Sequence, residues 1–586
     1  MKIVLANTVG IDSGGWSVIP YASRWTTASM GHSEAFTYYP RDLGYLSALL
    51  KRDTPHKIKL VDGCLERYDR ERYAEVLIGE KPDWLVIENS TRTFADDEWI
   101  ARAVKDATGA GIMITGQHVS ALPGEGLAFA DVVAKGEYLR SALDFFRNGQ
   151  DGRRVLEPDR PGLIDVSTLP FPEDDDVSRY DYALKADNVC EWRQIQVYTS
   201  RGCPYHCSYC VARHLYYEKP SWRARPVDNV VEELRHLAGK YTGLEGFFFD
   251  DEIHNARISY VKDLARAIIS AGLNGYKYEA MCAYAPFDDE SLELMREAGY
   301  YKVRVGIETA SDSVAEGLAL KGKHRPDRLH SFLGKARDVG IKVYGTFTLG
   351  GRGATEEEDG KTIALMADLV ASGLLDDCQV SICTPQPGVP FYEWGRDEGI
   401  IDTGSWSRFD GGEDAVLSLP GYSAERIKAT RQKALEAYDE ARRTRDSAIF
   451  RRNWDRETSS AGIDPERLLL FRSSRDWSLD SLLGAVFDTW SCKVAFLCHS
   501  DRVRRFTNAH PKIIPIAAGD GGFLNWETLG EKARRELIAY RADTALIPAN
   551  TLHCRGYGNV VDIAKKSGAR RILFVDAAGR LKDADS

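Results

Sequence analysis

Apolar residues along this chain follow two rhythms: short continuous runs, and stretches in which they recur every three or four positions. The first reads as buried strand and the second as amphipathic helix. Up to residue 150 the runs are Lys2–Ala6, Ile58–Val61, Trp84–Glu88, Gly111–Thr115 and Asp131–Ala134. Between them lie helical patterns such as Leu43, Leu46, Leu49, Leu50 and Ile100, Ala103, Val104. Strands that are each followed by a helix or loop predict an open parallel sheet with helices on both faces, which binds ligands beyond the carboxyl ends of its strands.

Residues 151–190 are rich in Pro, Asp and Arg and read as a linker. Over 191–445 strand and helix alternate regularly, with strands at Ile195–Thr199, Gly246–Asp250, Tyr276–Cys282, Tyr301–Ile307, Lys342–Leu349 and Cys378–Cys383. Val227, Val230, Val231, Leu234 and Leu237 share one face of the first helix, and Thr355 with Glu358 forms a capping box for a later one. Consecutive βα units predict a partial (β/α)6 barrel, smaller than the eightfold one, with its chemistry at the strands' carboxyl ends. Residues 446–586 return to an α/β pattern, with strands at Val494–Leu497, Ile513–Ile516, Thr544–Ile547 and Arg571–Phe574 and a helix over Thr528–Tyr540. This third domain carries no catalytic motif, so packing, partner binding or covering of substrate is its expected role.

Composition narrows the class. With 586 residues, 43% hydrophobic and 28% charged, the chain is an ordinary globular protein of several domains. Its formal charge of −10 argues against a nucleic-acid partner, and the basic stretch from Arg442 to Arg452 is interrupted by acids and reads as a solvated helix face. No apolar run is long enough to span a membrane. With no signal-peptide pattern at Met1–Ala6, the expected compartment is the cytoplasm. Eight of the eleven cysteines are scattered: Cys64, Cys190, Cys282, Cys378, Cys383, Cys492, Cys498 and Cys554. They read as small buried hydrophobes.

The other three stand in Arg201-Gly202-Cys203-Pro204-Tyr205-His206-Cys207-Ser208-Tyr209-Cys210, directly after the first barrel strand. Cysteines spaced x3 and x2 in a compact loop can turn three thiolates onto three irons of a [4Fe–4S] cube and leave the fourth iron open to substrate. A Cys3His zinc site completed by His206 or His214 and three buried structural cysteines are the alternatives, the latter at odds with a spacing and nearby Pro and Gly that suit a loop.

This C-x3-C-x-aromatic-C loop at the end of the first strand of a βα barrel resembles the signature of the radical S-adenosylmethionine (SAM) enzymes. The resemblance implies Cys203, Cys207 and Cys210 as ligands of a [4Fe–4S] cluster. It also implies SAM chelated at the open iron, a 5′-deoxyadenosyl radical on reduction, and Tyr209 facing the adenine. Phe247-Phe248-Phe249-Asp250-Asp251-Glu252 is similar to the family's acidic second-strand end, which implies Asp251 near SAM's amino end; a solvated, helix-capping turn is the other reading of these acids. Val305-Gly306-Ile307-Glu308-Thr309 is similar to the Gly-Ile-Glu-Ser segment and implies a SAM contact for Glu308. Thr384-Pro385-Gln386-Pro387-Gly388 resembles the family's proline-rich turn after the sixth strand. One departure is Gly350-Gly351-Arg352-Gly353-Ala354-Thr355, which lacks the usual Pro and Glu. Arg352 there either binds a substrate carboxylate or phosphate or faces solvent.

A barrel of this kind preceded by an open parallel sheet resembles the cobalamin-dependent subclass, which makes the first block a Rossmann-like cobalamin-binding domain. The segments that carry the likeness are Tyr39–Leu46, Pro82–Thr91, Gly116–Pro123 and Asp131–Glu137. They imply cobalamin contacts for Ser90, Thr91, Gly116, Gln117, His118, Ser120, Gly136 and Glu137. Gln117 replaces the family's second Gly. There is no Asp-x-His-x-x-Gly, so a histidine below the cobalt is not expected. The implied activity is methyl transfer to an unactivated carbon: one SAM methylates cobalamin, a second yields the radical, and the resulting substrate radical takes the methyl from cobalt. Cyclisation or oxidative rearrangement with the same cofactors, a radical enzyme whose sheet no longer binds cobalamin, and a non-catalytic iron–sulfur or corrin-binding protein are the alternatives. The implied partners are a small-molecule or natural-product substrate and an electron donor such as flavodoxin or ferredoxin.

Overall fold

In the computed structural model the apolar runs assemble into three six-stranded sheets. The structure describes residues 1–10, 18–19, 28–29, 37–149, 152, 154–158, 162–184, 190–217, 221–474, 476–519, 524–549 and 556–584; Cys554 lies outside them. The chain divides into two compact units, one holding nearly all residues up to Ala437 and the other mainly Tyr438–Ser586. Among the described residues no helix is long and apolar enough to cross a membrane.

The first sheet is built from Lys2–Asn7, Lys57–Val61, Trp84–Asn89, Gly111–Gly116, Val132–Ala134 and Val155–Leu156, in the spatial order 2-1-3-4-5-6 and all parallel. The central strands are apolar on both faces because helices cover both, as parallel sheets require. Strand order reverses between the first and third strands, so their carboxyl ends, Asn7-Thr8 and Asn89-Ser90, flank the natural crevice.

The second sheet runs in simple order 1-2-3-4-5-6 through Gln194–Val197, Gly246–Phe249, Lys277–Cys282, Tyr300–Glu308, Lys342–Leu349 and Asp377–Ile382. Each neighbour is parallel, which is the open βα barrel that the sequence predicts. Thr355 Oγ1 accepts the N–H of Glu358 (3.2 Å), but the Glu358 carboxylate turns to Ser311 and Lys361, so only half of the capping box forms. In the second unit, Arg467–Phe471, Lys493–Cys498, Ile513–Ala517, Thr544–Ala549 and Arg571–Asp576 form a parallel sheet of order 3-2-1-4-5, closed by antiparallel Leu581–Asp583. Its first strand, Arg467–Phe471, is central and has no counterpart in the sequence reading.

The linker is more than a connector. Glu173 is 3% exposed and accepts hydrogen bonds from Ser47 Oγ (2.5 Å) and the N–H groups of Asp175 (2.7 Å) and Asp176 (3.0 Å), with Lys51 Nζ at 2.5 Å. Burial alone would push its carboxyl up, but these donors win and hold it at about 2, below its ordinary 4.5. A depressed carboxyl stabilises the fold fully above its unfolded value, and the contribution disappears as pH falls through the folded value. The contribution is about 2–3 kcal/mol at neutral pH. Glu173→Gln is therefore expected to be less stable than the parent at pH 7, with the gap closing between pH 4.5 and pH 2. Urea unfolding across that range checks it; a gap that stays constant would refute the assignment.

Candidate active site

The cysteine loop leaves the first barrel strand through a two-stranded ribbon, Ser200–Cys203 paired antiparallel with Ser221–Ala224. Gly202 sits at φ 95°, and a Cβ there would meet the Ser221 carbonyl oxygen at 2.2 Å, so only glycine fits this turn into the loop. The loop is then tied from two sides. Ser208 N–H donates to the Leu318 carbonyl (2.9 Å), and Phe391 N–H, from the proline-rich turn after the sixth strand, donates to the Ser208 carbonyl (3.0 Å).

Cys203, Cys207, Cys210 and Tyr209 all line one cavity at the carboxyl ends of the barrel strands. Burial pushes all three thiols up, to about 11 for Cys207, where Lys323 pulls the other way. Thiolates so placed need a positive partner, and iron supplies one. Among the described residues no three His, Cys, Asp or Glu side chains close on a single-ion site. His214 Nε2 stands 3.1 Å from the Cys207 carbonyl oxygen, so it is engaged with backbone rather than with sulfur. The donor set fits a cluster better than one zinc ion.

Across the cavity stands Glu308, at the carboxyl end of the fourth strand. A bulge between Gly306 and Glu308 breaks the register, and Glu308 takes φ 69°, a conformation that costs a non-glycine residue about 1–2 kcal/mol. Its carboxylate accepts from Lys323 Nζ (2.6 Å) and Thr348 Oγ1 (2.8 Å). The Lys323 ammonium is held above its usual range by Glu308 and the nearby thiols, against the cost of burial. The result is one half-buried cation and one buried anion in the cavity that the cysteines line. An amino-acid headgroup such as that of SAM, with its own ammonium and carboxylate, is complementary to such a pair. The sequence offered no motif for Lys323; the Lys321-Gly322-Lys323 repeat was the only hint.

The second-strand acids are committed elsewhere. Asp251 accepts from the N–H of Thr199 (2.7 Å) and Ser200 (2.9 Å) and from Thr199 Oγ1 (2.6 Å), and lies 3.0 Å from His254 Nδ1. Its residue borders the cavity, but its carboxylate orders the start of the cysteine ribbon. Glu252 accepts the N–H of Gly202 (3.0 Å) and the Tyr217 hydroxyl (2.9 Å). Arg352 is exposed and stacks over Trp394, 4.8 Å from the ring centroid.

At the strand ends of the first sheet, Ser90, Thr91, Gln117, His118 and Ser120 are buried. Gln117 Nε2 donates to Ser90 Oγ (3.2 Å); Ser120 Oγ bridges the Gly116 carbonyl (2.5 Å) and the Gly136 N–H (2.9 Å). Two buried carbonyl oxygens here, Asn89 Oδ1 and Gln117 Oε1, find no hydrogen-bond partner among the described residues. Such acceptors suit the amide N–H groups that fringe a corrin ring. His118 is packed against Phe94 (4.3 Å) and Trp406 (5.1 Å), and its Nε2 meets Glu125 Oε2 at 3.1 Å, so its ring serves the packing of this surface. Glu137 is committed to Arg201 Nε (3.1 Å), to the Ile164 N–H (2.9 Å) and to Arg223.

Comparisons with known proteins bear on the barrel segment and on the fold. Residues 197–366 match the family model of the radical SAM superfamily. A Pyrococcus horikoshii protein named as an uncharacterized methyltransferase is 27% identical over 415 residues, covering 67% of this chain and 86% of that one. The fold is similar to that of TsrM from Kitasatospora setae, a radical SAM methyltransferase solved with cobalamin and a [4Fe–4S] cluster (TM-score 0.52, 19% identity, 68% of this chain and 78% of that one). It is similar also to OxsB, a cobalamin-dependent SAM radical enzyme solved with aqua-cobalamin and SAM (TM-score 0.53, 13% identity, 78% of this chain and 74% of that one). With the cysteine loop at the head of its barrel and an open parallel sheet before it, the chain carries a segment, residues 197–366, that matches the radical SAM superfamily, and its fold is similar to those of TsrM and OxsB.

Proposed function

We propose that this protein is a cobalamin-dependent radical SAM methyltransferase acting on an unactivated carbon of a small-molecule substrate. The observation that carries the reading is the cavity that sets three cysteines of one loop against the strained Glu308–Lys323 pair. When bound, the cluster and SAM supply a 5′-deoxyadenosyl radical and cobalamin supplies the methyl group. Cys203, Cys207 and Cys210 would hold the cluster. Lys323 and Glu308 would orient the SAM headgroup, the lysine facing its carboxylate and the glutamate its ammonium. Tyr209 offers an aromatic face in the same cavity. Asn89, Gln117 and the small residues at Ser90, Thr91, Gly116, Ser120 and Gly136 would cradle cobalamin. Apolar walls, including Ile253, Phe347 and Ile382, keep water from a reactive intermediate. The methyltransferase name of the Pyrococcus relative supports methyl transfer over cyclisation. A flavodoxin or ferredoxin in the cytoplasm is the electron source this chemistry needs, and the net negative charge is unsuited to a nucleic-acid substrate.

The test is anaerobic reconstitution with iron, sulfide and cobalamin, then SAM and a reductant, with mass spectrometry of the products. Both 5′-deoxyadenosine and S-adenosylhomocysteine are expected. Deoxyadenosine alone, from protein that does not retain cobalamin, would replace this reading with a radical enzyme whose sheet is vestigial.

A further inference from the structure

The residue before Gly202 and Cys203 is Arg201, and it is 1% exposed. Among the described residues its guanidinium pairs outside the barrel. Nη2 donates to Asp42 Oδ1 (2.5 Å), on the first turn of the helix Arg41–Asp53, and Nε donates to Glu137 Oε2 (3.1 Å), just after the fifth strand of the first sheet. Next to Asp42, Arg41 Nη2 reaches Glu252 Oε1 (2.7 Å), whose other oxygen receives the Gly202 N–H (3.0 Å). Arg41, Asp42 and Glu137 are 5%, 2% and 1% exposed, so these are dry, short-range pairs.

Two lines of contact therefore run from the N-terminal sheet layer to the two residues that precede the first cysteine. One passes through Arg201 and the other through Glu252. Partners that fix the groups next to metal ligands set ligand geometry and tune the metal. A buried ion pair is also a demanding constraint, because a displaced partner leaves an uncompensated charge.

We propose that Asp42, acting through Arg201, and Arg41, acting through Glu252, are positioning residues for the cluster loop, so that the sheet layer sets where Cys203 stands. This rests on the reading that Cys203, Cys207 and Cys210 hold a [4Fe–4S] cluster. Glu137 joins the two cofactor regions: it follows Gly136 at the strand ends proposed for cobalamin and grips the arginine that leads into the cluster loop.

The experiment uses the full chain, reconstituted anaerobically with iron and sulfide, and compares Asp42→Asn, Glu252→Gln and Glu173→Gln. Glu173→Gln is the control: it weakens a buried carboxylate site on the same helix, at Ser47 and Lys51, and touches no residue of the cluster loop. Two readouts are taken: the rate at which a ferrous chelator strips iron without SAM, and the electron paramagnetic resonance spectrum of the reduced cluster with and without SAM. Asp42→Asn and Glu252→Gln are expected to lose iron about tenfold faster than the parent and to lose the spectral change on adding SAM. Glu173→Gln is expected to match the parent in both. Folded Asp42→Asn and Glu252→Gln proteins with parental stripping rates and spectra would overturn the proposal while leaving the cluster reading intact. If Asp42→Asn does not fold, Glu252→Gln decides by the same criteria, since it keeps the Arg201 pairs. If neither folds, Arg201→Lys decides by the same criteria, since it keeps the charge but not the two-pronged grip. A parent chain that takes up no cluster would overturn both readings.

Discussion

Cys207→Ala is expected to give a folded protein that forms no 5′-deoxyadenosine from SAM. Cys207 is buried, and removing one sulfur from a loop held by the Ser208 hydrogen bonds costs the fold on the order of 1 kcal/mol. The chemistry has no such reserve. Three thiolates are the smallest set that can hold a cube with one open iron, and with two the site has no stable occupant. SAM cleavage should fall to the uncatalysed rate, a loss on the order of 10⁶-fold or more. Liquid chromatography with mass spectrometry on the anaerobic reaction reads this directly, with circular dichroism confirming the fold. Residual deoxyadenosine within tenfold of the parent would remove Cys207 from the ligand set.

The second large effect is expected at Lys323. Its ammonium is the cation that stands against Glu308 inside the cavity, at 2.6 Å. Lys323→Met keeps much of the side chain's volume and removes the charge. SAM would then have to bring its carboxylate to a site holding only Glu308. Removing one partner of a buried, hydrogen-bonded charge pair costs about 2–5 kcal/mol, so SAM affinity should drop by at least about tenfold. A SAM titration followed by the spectrum of the reduced cluster measures it without any substrate. Lys323→Arg should recover part of the loss, since it restores the charge with a different reach. An unchanged titration for Lys323→Met would mean that the SAM headgroup lies elsewhere.

Much of this molecule is written in its hydropathy. All six barrel strands fall within two residues of the runs that predict them, because buried Val, Ile, Phe and Tyr mark each strand even where Gln196, Glu279, Lys302 and Arg304 interrupt the run. Arg467–Phe471 escaped this reading. Its leucine run follows a 38-residue helix, and periodicity alone does not separate a short buried strand from the end of such a helix. The linker misled through composition: its acids and arginines look solvated, yet Glu173 and Arg179 are buried, the latter against Glu233 at 2.6 Å. In the site, the spacing of the cysteines and the resemblance of Val305–Thr309 to a family segment single out residues that the structure places around one cavity. Lys323, Asp42 and Arg201 were not assigned roles. Their partners lie 15, 159 and 64 residues away, and no local pattern encodes a pairing across such distances. Asp251 shows the converse: the motif locates the acid, and only the structure tells that its oxygens go to Thr199 and Ser200.

The pairs made by Arg201 also bear on the order of events while the chain is being synthesised. The first sheet closes on residues 2–156, so every one of its strands has been translated before Arg201 is. Asp42 and Glu137 are therefore made 159 and 64 residues ahead of the guanidinium that pairs with them. Buried without that partner they would be uncompensated charges, so the sheet layer and the stem of the cysteine loop are expected to complete their folding together, in keeping with the single compact unit they share.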